Sequence, residues 1–143
     1  MVRLLKSAEH VYNHFVTISK QKDKILYYIY LKDKCIGEIS INKISKIDSS
    51  AEFGYWLSKE YTKNGYMTEA IKICEKYVFK DLGINRLVIR CDSENIASKK
   101  IALRSGYTLE GTNRESMFNQ HFNKFRDILV FSKLKREFDK EDK

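Results

Sequence analysis

Residues 51–78 (AEFGYWLSKEYTKNGYMTEAIKICEKYV) constrain the fold of this chain more than any other stretch. They predict a β-strand, a short polar loop that contains one glycine, and an amphipathic helix. The apolar residues after Gly65 recur at gaps of three and four, which is the period of one helix face. They are Met67, Ala70, Ile71, Cys74, Tyr77 and Val78. The stretch therefore predicts a βα unit with a glycine at the mouth of its helix.

Gly65 lies at the predicted start of that helix. The first amides of a helix have no partner inside it, and the helix dipole favours negative charge at this end. Because glycine has no side chain, a ligand can approach the backbone closely. The arrangement is typical of a phosphate-binding turn, yet a βα turn with one glycine is more often purely structural. This stretch alone leaves both interpretations open.

Length and composition indicate one domain with a packed core. The chain has 143 residues, of which 43% are hydrophobic and 13% aromatic, and that is enough for a single interior. No apolar run approaches the roughly 20 residues that span a bilayer. The first ten residues, MVRLLKSAEH, do not resemble a secretory signal. We therefore expect a cytoplasmic protein that has no membrane partner.

The cysteines and histidines do not indicate a metal site. Cys35, Cys74 and Cys91 are odd in number and widely spaced, which favours reduced thiols over a disulfide framework. His10 and His14 are one helical turn apart, a spacing that metal ligands use, but no third ligand is evident and no Cys/His cluster has zinc spacing. Two histidines on a helix surface are the preferred interpretation.

The charge balance favours polyanionic partners. A net charge of +8, from 27 basic and 19 acidic residues, suits nucleic acid, a nucleotide-like cofactor or an acidic protein. A Lys-rich soluble protein without any such partner would have the same balance. The basic residues are spread evenly and form no stripe with an aromatic platform, which makes nucleic acid the weaker alternative.

The remaining patterns predict a mixed α/β sheet. Strand 85–92 has the continuous apolar core Leu87-Val88-Ile89, as expected for a strand that is covered on both faces. A strand, helix and strand this close in sequence predict a right-handed crossover between parallel strands. We predict one domain over residues 1–143, with a charged tail that frays from about residue 136. The predicted helices are 7–20, the one after Gly65 and 93–105, and the strands are 24–31, 35–44, 51–58, 85–92, 107–118 and 122–134.

Three segments carry a resemblance to a known family. They are EFGYWL at 52–57, NGYMTEA at 64–70, and NIAS at 95–98 followed by ALRSGY at 102–107 and LEG at 109–111. In this order and spacing the chain resembles the GCN5-related N-acetyltransferase (GNAT) superfamily. Within it, the chain resembles the ribosomal-protein N-terminal acetyltransferase (RimJ/RimL-like) type over about residues 24–135. The resemblance implies a GNAT-like mixed, mostly antiparallel sheet with a central splayed pair of parallel strands and helices on both faces.

The same resemblance implies an enzyme of the acyltransferase class. Its cosubstrate would be acetyl-CoA, bound where strands 51–58 and 85–92 splay apart, and no metal would take part. The acetyl group would pass to a primary amine by direct attack in a ternary complex. The acceptor would be a protein N-terminus, such as that of a ribosomal protein, or a small amine of the polyamine or aminoglycoside type. A non-catalytic CoA-binding protein is the remaining alternative.

The resemblance also assigns roles to individual residues. Ser98 would protonate the leaving thiolate, since Ala102 stands where many superfamily members carry a tyrosine for that task. Glu52 or Glu115, with Glu110 as a third candidate, would deprotonate the amine through water. Cofactor contacts would come from the splayed strand, the glycine loop and the start of the next helix: Trp56, Leu57, Thr62, Lys63, Asn64, Gly65, Tyr66, Met67, Thr68, Asn95 and Ser98.

Several departures from the family pattern bear on these assignments. The superfamily loop usually runs Q/R-x-x-G-x-G/A, whereas Thr62 and Met67 occupy its first and last positions here. Met117 stands where the subgroup is proposed to use a glutamate, and strand alternation would place Glu115 on the same face. Family members are usually longer at the N-terminus, which suggests truncation, a late start codon or completion by a partner chain. We expect a homodimer that covers apolar sheet surface.

Overall fold

The computed structural model describes residues 2–6 and 23–142, and one seven-stranded sheet organises them. Its strands are β1 (Val2–Lys6), β2 (Ile25–Leu31), β3 (Lys34–Ser45), β4 (Ser50–Leu57), β5 (Arg86–Asp92), β6 (Thr108–Asn119) and β7 (Lys124–Leu134). Their spatial order is β1-β2-β3-β4-β5-β7-β6, and every neighbouring pair is antiparallel except β4 and β5. The predicted mixed, mostly antiparallel sheet with one central parallel pair is confirmed.

The parallel pair is closed at one end and open at the other. Its register runs from Ser50 opposite Arg86 to Phe53 opposite Ile89, and no later residue of β4 is paired with β5. Both strands nevertheless continue, β4 to Leu57 and β5 to Asp92. The predicted splay is therefore present, and it begins directly after Phe53.

Outer strands hold both sides of this opening in place. Residues 54–57 of β4 stay paired with β3, and residues 90–92 of β5 stay paired with β7. We call the space between these two segments the strand gap. Because each edge is anchored to its outer neighbour, the strand gap is a built feature of the sheet and not a frayed end.

Helices α1 (Tyr66–Lys76) and α2 (Ile96–Arg104) pack on the sheet face that carries Tyr55. The Tyr55 side chain reaches Ser98 of α2, and Tyr27, in the same cross-strand row, makes an edge contact with Tyr77 just after α1. The periodic apolar face of α1 is buried as predicted. The core on this sheet face includes Ile29, Ile39, Ile41, Phe53, Leu87, Ile89 and Phe131.

A buried ion pair also ties α1 to the sheet. Lys133 of β7 is 1% exposed, and its Nζ lies 3.2 Å from Oε2 of Glu75 in α1 and 2.8 Å from Oε2 of Glu141. Burial raises the pKa of Glu75, and Lys133 offsets part of that rise. A buried charge needs such partners to be tolerated, so this cluster fixes how α1 sits on β7.

The end of the chain differs from the prediction. Residues from about 136 onward were expected to fray, and that expectation is wrong, because Lys135–Glu141 form helix α3. Phe138 is 3% exposed, and its ring stacks on Phe79 with 5.0 Å between the centroids. One apolar residue in a charged segment is enough to anchor it when a partner ring lies within reach.

Other element boundaries differ from the predicted ones. The sequence patterns did not predict β1. The helix expected from residue 93 begins at Ile96, because the Asn95 side chain caps it. After α1 a π-helical turn (Tyr77–Asp81) follows, and Gly83, at φ +67°, ends the segment.

The predicted helix 7–20, with His10 and His14, lies outside the described residues. Within residues 2–6 and 23–142, no helix is long and apolar enough to cross a membrane.

Candidate functional site

The loop between β4 and α1 surrounds Gly65 with free backbone amides. Gly65 has φ +79° and directly precedes α1, and no side chain in the described part of the chain caps this helix start. Among the described residues, none provides a hydrogen-bond acceptor to the amides of residues 63–68; the first bonded amide is that of Glu69, 3.0 Å from the Gly65 carbonyl oxygen. Unpaired amides at a helix N-terminus form a favourable anion site.

The space above Gly65 is open. A Cβ atom built at this position would meet no atom of residues 2–6 and 23–142 within 4 Å. Neighbouring side chains shape the loop instead of filling that space: Thr62 Oγ1 donates to the Lys59 carbonyl oxygen at 2.7 Å, and Asn64 Nδ2 donates to the Thr62 carbonyl oxygen at 3.1 Å. Met67 is buried in the core at 3% exposure. The Thr62 and Asn64 donors are therefore engaged within the loop, and the Met67 side chain belongs to the core.

The β4 edge of the strand gap is held by a close approach to β3. A Cβ atom at Gly37 of β3 would collide with the Trp56 carbonyl oxygen and crowd Leu57. The Ser58 amide donates to the Ile36 carbonyl oxygen at 2.7 Å and continues this pairing past the strand end. Trp56 is 60% exposed, and strand alternation places it on the face opposite Tyr55.

Ser98 lies in the first turn of α2, beside the strand gap. The Asn95 side chain caps the helix, and its Oδ1 accepts a hydrogen bond from the Ser98 amide at 3.1 Å. Ser98 is 8% exposed, and its Oγ is 2.8 Å from the Tyr55 hydroxyl oxygen. The predicted proximity of Asn95 and Ser98 to the open end of β4 is thus present.

The groups around Ser98 keep their protons at neutral pH. Burial raises the pKa of Tyr55 to about 12, although the hydrogen bond with Ser98 opposes the rise. Burial also raises the pKa of the Cys91 thiol, and Ser98 again offsets part of the effect. Tyr55 is a side chain that the sequence patterns did not single out. Strand alternation on β4 places it on the helix-covered face, but spacing alone cannot show that it meets a residue 43 positions away.

The candidate bases occupy different environments. Glu52 is 19% exposed and lies in the closed half of β4, opposite Val88. Its Oε2 atom lies 3.2 Å from Lys43 Nζ and 3.5 Å from Arg90 Nε. Glu110 pairs with Arg86 through two hydrogen bonds, of 2.9 and 2.5 Å, and Arg86 lowers its pKa. Arg86 is the first residue of β5, at the end away from the strand gap, so its partner Glu110 also lies away from the gap.

Glu115 does not share a face with Met117 by simple alternation, so that expectation is wrong. The β6–β7 register passes from Asn113 opposite Ile128 to Met117 opposite Arg126 through a bulge. Glu115 lies inside the bulge at φ +47°, and its amide donates to Asp127 Oδ1 at 2.7 Å. A bulge of this kind breaks strand alternation.

An open depression lies where β5 ends and the β6–β7 hairpin turns. Arg126 binds Asp92 through two hydrogen bonds, of 2.6 and 2.8 Å, and this contact lowers the pKa of Asp92. Arg126 also pairs with Glu94, as does Lys124. In the described part of the chain, no group of three or more metal-ligating side chains is present. The residues around the depression are Asp92, Glu94, Asn95, Met117, Asn119, Phe122, Lys124 and Arg126.

Known proteins resemble this chain in both sequence and structure. The acetyltransferase (GNAT) domain family matches residues 3–108. The ribosomal-protein-serine acetyltransferase of Escherichia coli K12 is 32% identical over 109 residues, which are 76% of this chain and 60% of that protein. An uncharacterized N-acetyltransferase of Bacillus licheniformis, p20, is 29% identical over 86% of this chain and 68% of its own length. The spermidine N(1)-acetyltransferase of E. coli K12 is 27% identical over 72% and 59%, respectively.

Solved structures share the fold. A crystal structure described as a probable acetyltransferase superposes with a TM-score of 0.82 at 26% identity, over 87% of this chain and 71% of that one. The Microcin C7 self immunity acetyltransferase MccE, in complex with acetyl-CoA and AMP, gives a TM-score of 0.75 at 28% identity, over 85% and 68%. The chain spans about 60% of the length of the E. coli ribosomal-protein-serine enzyme. Because the family match covers more than half of its residues, the chain belongs to the GNAT acetyltransferase family.

Proposed function

We propose that this chain is an acetyl-CoA-dependent N-acetyltransferase that acetylates a primary amine by direct attack in a ternary complex. The observation that carries the proposal is the strand gap, followed by a loop whose amides have no hydrogen-bond acceptor among the described residues. Relatives named as N-acetyltransferases and a similar structure that holds acetyl-CoA support it.

Backbone groups of the loop and of β4 suit two parts of acetyl-CoA, the diphosphate and the pantetheine arm. The amides of residues 63–68 suit the diphosphate, because they combine unpaired donors with the positive end of a helix dipole. The pantetheine arm is extended and carries amides, so residues 54–57 can take it up like an added strand. In this arrangement Trp56 and Leu57 lie beside the arm, and the net charge of +8 favours a ligand with several phosphates.

Each catalytic task falls to a named group of the chain. Acetyl-CoA supplies an activated acetyl thioester, whose carbon the amine attacks and whose thiolate departs. A backbone amide within residues 55–57 polarises the thioester carbonyl, as an oxyanion-type donor does. Ser98 gives a proton to the departing sulfur, which lowers the barrier to C–S cleavage.

Glu52 is the better placed of the two remaining candidate bases. It lies one residue before Phe53, the last residue before the strand gap, whereas Glu115 lies in the β6 bulge. Lys43 and Arg90 both contact Oε2 of Glu52. We therefore assign the Glu52 carboxylate to the water that takes the proton from the amine, with Glu115 as the second candidate.

A protein N-terminus is the acceptor that the charges favour. The carboxylates closest to the open end of β5, Asp92 and Glu94, are paired with Arg126 and Lys124, and Glu52 is paired as well. A polyamine would need unpaired acidic groups, whereas an acidic peptide would be attracted by the basic chain. The name of the E. coli ribosomal-protein-serine relative points the same way, and that of the spermidine N(1)-acetyltransferase supplies the alternative.

An acceptor series with a thiol-release assay tests the proposal. The purified chain is incubated with acetyl-CoA and, separately, with an acidic peptide that begins with serine, its N-terminally blocked counterpart, spermidine and an aminoglycoside. We expect release of CoA with the free peptide and none with the blocked one, and mass spectrometry should locate the acetyl group on the α-amine.

The other outcomes separate the alternatives. Faster turnover with spermidine would favour a small-amine acetyltransferase. Calorimetric binding of acetyl-CoA without turnover on any amine would favour a non-catalytic CoA-binding protein. Absence of acetyl-CoA binding would contradict the proposal altogether.

A further inference from the structure

Tyr55 meets the proposed proton donor through its hydroxyl group. The two hydroxyl oxygens, Tyr55 Oη and Ser98 Oγ, are 2.8 Å apart, and either one can be the donor. Tyr55 Oη also lies 3.5 Å from the Ser98 carbonyl oxygen. Tyr55 is the second residue of β4 beyond the last pair with β5, so it reaches α2 from the edge of the strand gap itself.

A serine hydroxyl is a poor proton donor when it acts alone. It is a weak acid, and its hydrogen rotates freely unless a neighbour fixes it. If Ser98 gives its proton to a sulfur, its oxygen needs a proton from elsewhere. The Tyr55 hydroxyl is in contact with that oxygen, and since burial raises its pKa to about 12 it carries a proton at neutral pH.

We propose that Tyr55 is a positioning residue for acetyl transfer: its hydroxyl donates to Ser98 Oγ, which directs the Ser98 hydrogen toward the departing sulfur. This inference rests on the function proposed above. When the C–S bond breaks, the sulfur takes the proton of Ser98, Ser98 takes that of Tyr55, and Tyr55 recovers one from solvent. The proton lost by the attacking amine leaves separately, through water.

A purely structural role makes a different prediction. In that case the Tyr55 hydroxyl only anchors α2 to β4, and its loss would lower stability or cosubstrate affinity without a specific effect on turnover. The chain offers a matched control in Tyr27, which packs against the core on the same sheet face and whose pKa burial also raises to about 12. The ring of Tyr27 contacts Tyr77, away from Ser98.

The test compares Tyr55→Phe, Ser98→Ala, the double variant and Tyr27→Phe by steady-state kinetics. For Tyr55→Phe we expect kcat to fall about tenfold, with KM for acetyl-CoA changed less than about twofold. Tyr27→Phe should match the parent. The double variant should be no slower than Ser98→Ala, because Tyr55 acts only through Ser98.

Three results would overturn the inference. They are an unchanged kcat for Tyr55→Phe, an effect confined to KM, or a fall in kcat that is as large in the Ser98→Ala background as in the parent. Thermal unfolding of each variant shows whether it is folded. A parent that turns over no amine would instead contradict the proposed function, so the two failures are distinguishable.

Discussion

The two halves of β4 belong to one strand of eight residues, yet they have different roles. Residues 50–53 pair with β5, and residues 50, 52 and 53 also pair with β3; Ala51 and Phe53 are each 3% exposed. Residues 54–57 pair with β3 alone, and Trp56 is 60% exposed. The closed half belongs to the core, and the open half borders the candidate site.

The difference shows how an ordinary sheet creates a binding edge. A strand with an unpaired side exposes amides and carbonyl groups that invite another chain or an extended ligand. Here that side opens toward the interior of the sheet and not at its rim, because β5 turns away to stay with β7. The closed half should therefore govern stability, while the open half and the loop that follows it should govern cosubstrate binding.

The largest expected effect is on stability, in the closed half. Phe53→Ala removes a ring that is 3% exposed and should lower the free energy of unfolding by about 3–5 kcal/mol. Phe125→Ala, at a hairpin ring that is 60% exposed, is the control and should change it by less than about 0.5 kcal/mol. Urea denaturation measures both. A loss below about 1 kcal/mol for Phe53→Ala would mean that the closed half is not a core element.

The next effect is on cosubstrate affinity. Gly65→Glu places bulk and negative charge where a diphosphate would bind, and should weaken CoA binding at least about 100-fold. Gly83→Glu is a matched control, because Gly83 also has a positive φ, +67°, and open space around its missing Cβ. Both variants carry the same backbone strain, but only Gly65→Glu should lose affinity in calorimetry. Equal CoA affinities in the two variants would contradict the proposal that the loop around Gly65 binds the diphosphate.

A smaller effect on stability is expected at the open end of β5, and this effect depends on pH. Arg126 holds the pKa of Asp92 below its ordinary 3.8. The pair therefore stabilises the folded state above that pH, and the contribution is lost as the pH falls through the lowered pKa. Asp92→Asn should unfold at a lower temperature than the parent at pH 7, and the two should converge in acid. Asp33→Asn, at an exposed position, is the control. If the unfolding temperatures of the parent and Asp92→Asn differed by the same amount at every pH, the electrostatic explanation would be contradicted.

The smallest expected effect on stability is at Trp56. Its side chain is 60% exposed, so Trp56→Ala should change the free energy of unfolding by less than about 0.5–1 kcal/mol. Because the residue borders the strand gap, the same variant should raise KM for acetyl-CoA several-fold. Denaturation and kinetics on one protein sample give both values. A large loss of stability with an unchanged KM would contradict the different roles proposed for the two halves of β4.

The strand gap and the glycine loop could be predicted from sequence because their determinants are local. Gly65, the polar loop and the period of α1 lie within one short stretch, and each requires a particular backbone conformation. The three motif segments then placed β4, α1 and α2 in the correct order. The sheet, the splay and the buried face of α1 all followed from patterns of this kind.

Other contacts could not be predicted in the same way, because the residues that make them are distant in sequence. The bulge that carries Glu115 depends on pairing with β7, and the ion pairs of Glu52 join residues from three strands. The Tyr55–Ser98 contact and the stacking of Phe138 on Phe79 likewise need the folded chain. Alternation and composition give no information about such contacts, so the predicted face of Glu115 and the frayed tail were both wrong.

We propose that acetyl-CoA binds to the backbone of the strand gap and of the glycine loop. Amide hydrogen exchange, followed residue by residue by NMR with and without acetyl-CoA, tests it directly. We predict slower exchange on binding at the gap-facing amides of residues 54–57 and at residues 63–68, and no change at residues 50–53, which are already paired. Unchanged exchange in both of the first two segments, at saturating acetyl-CoA, would contradict the account.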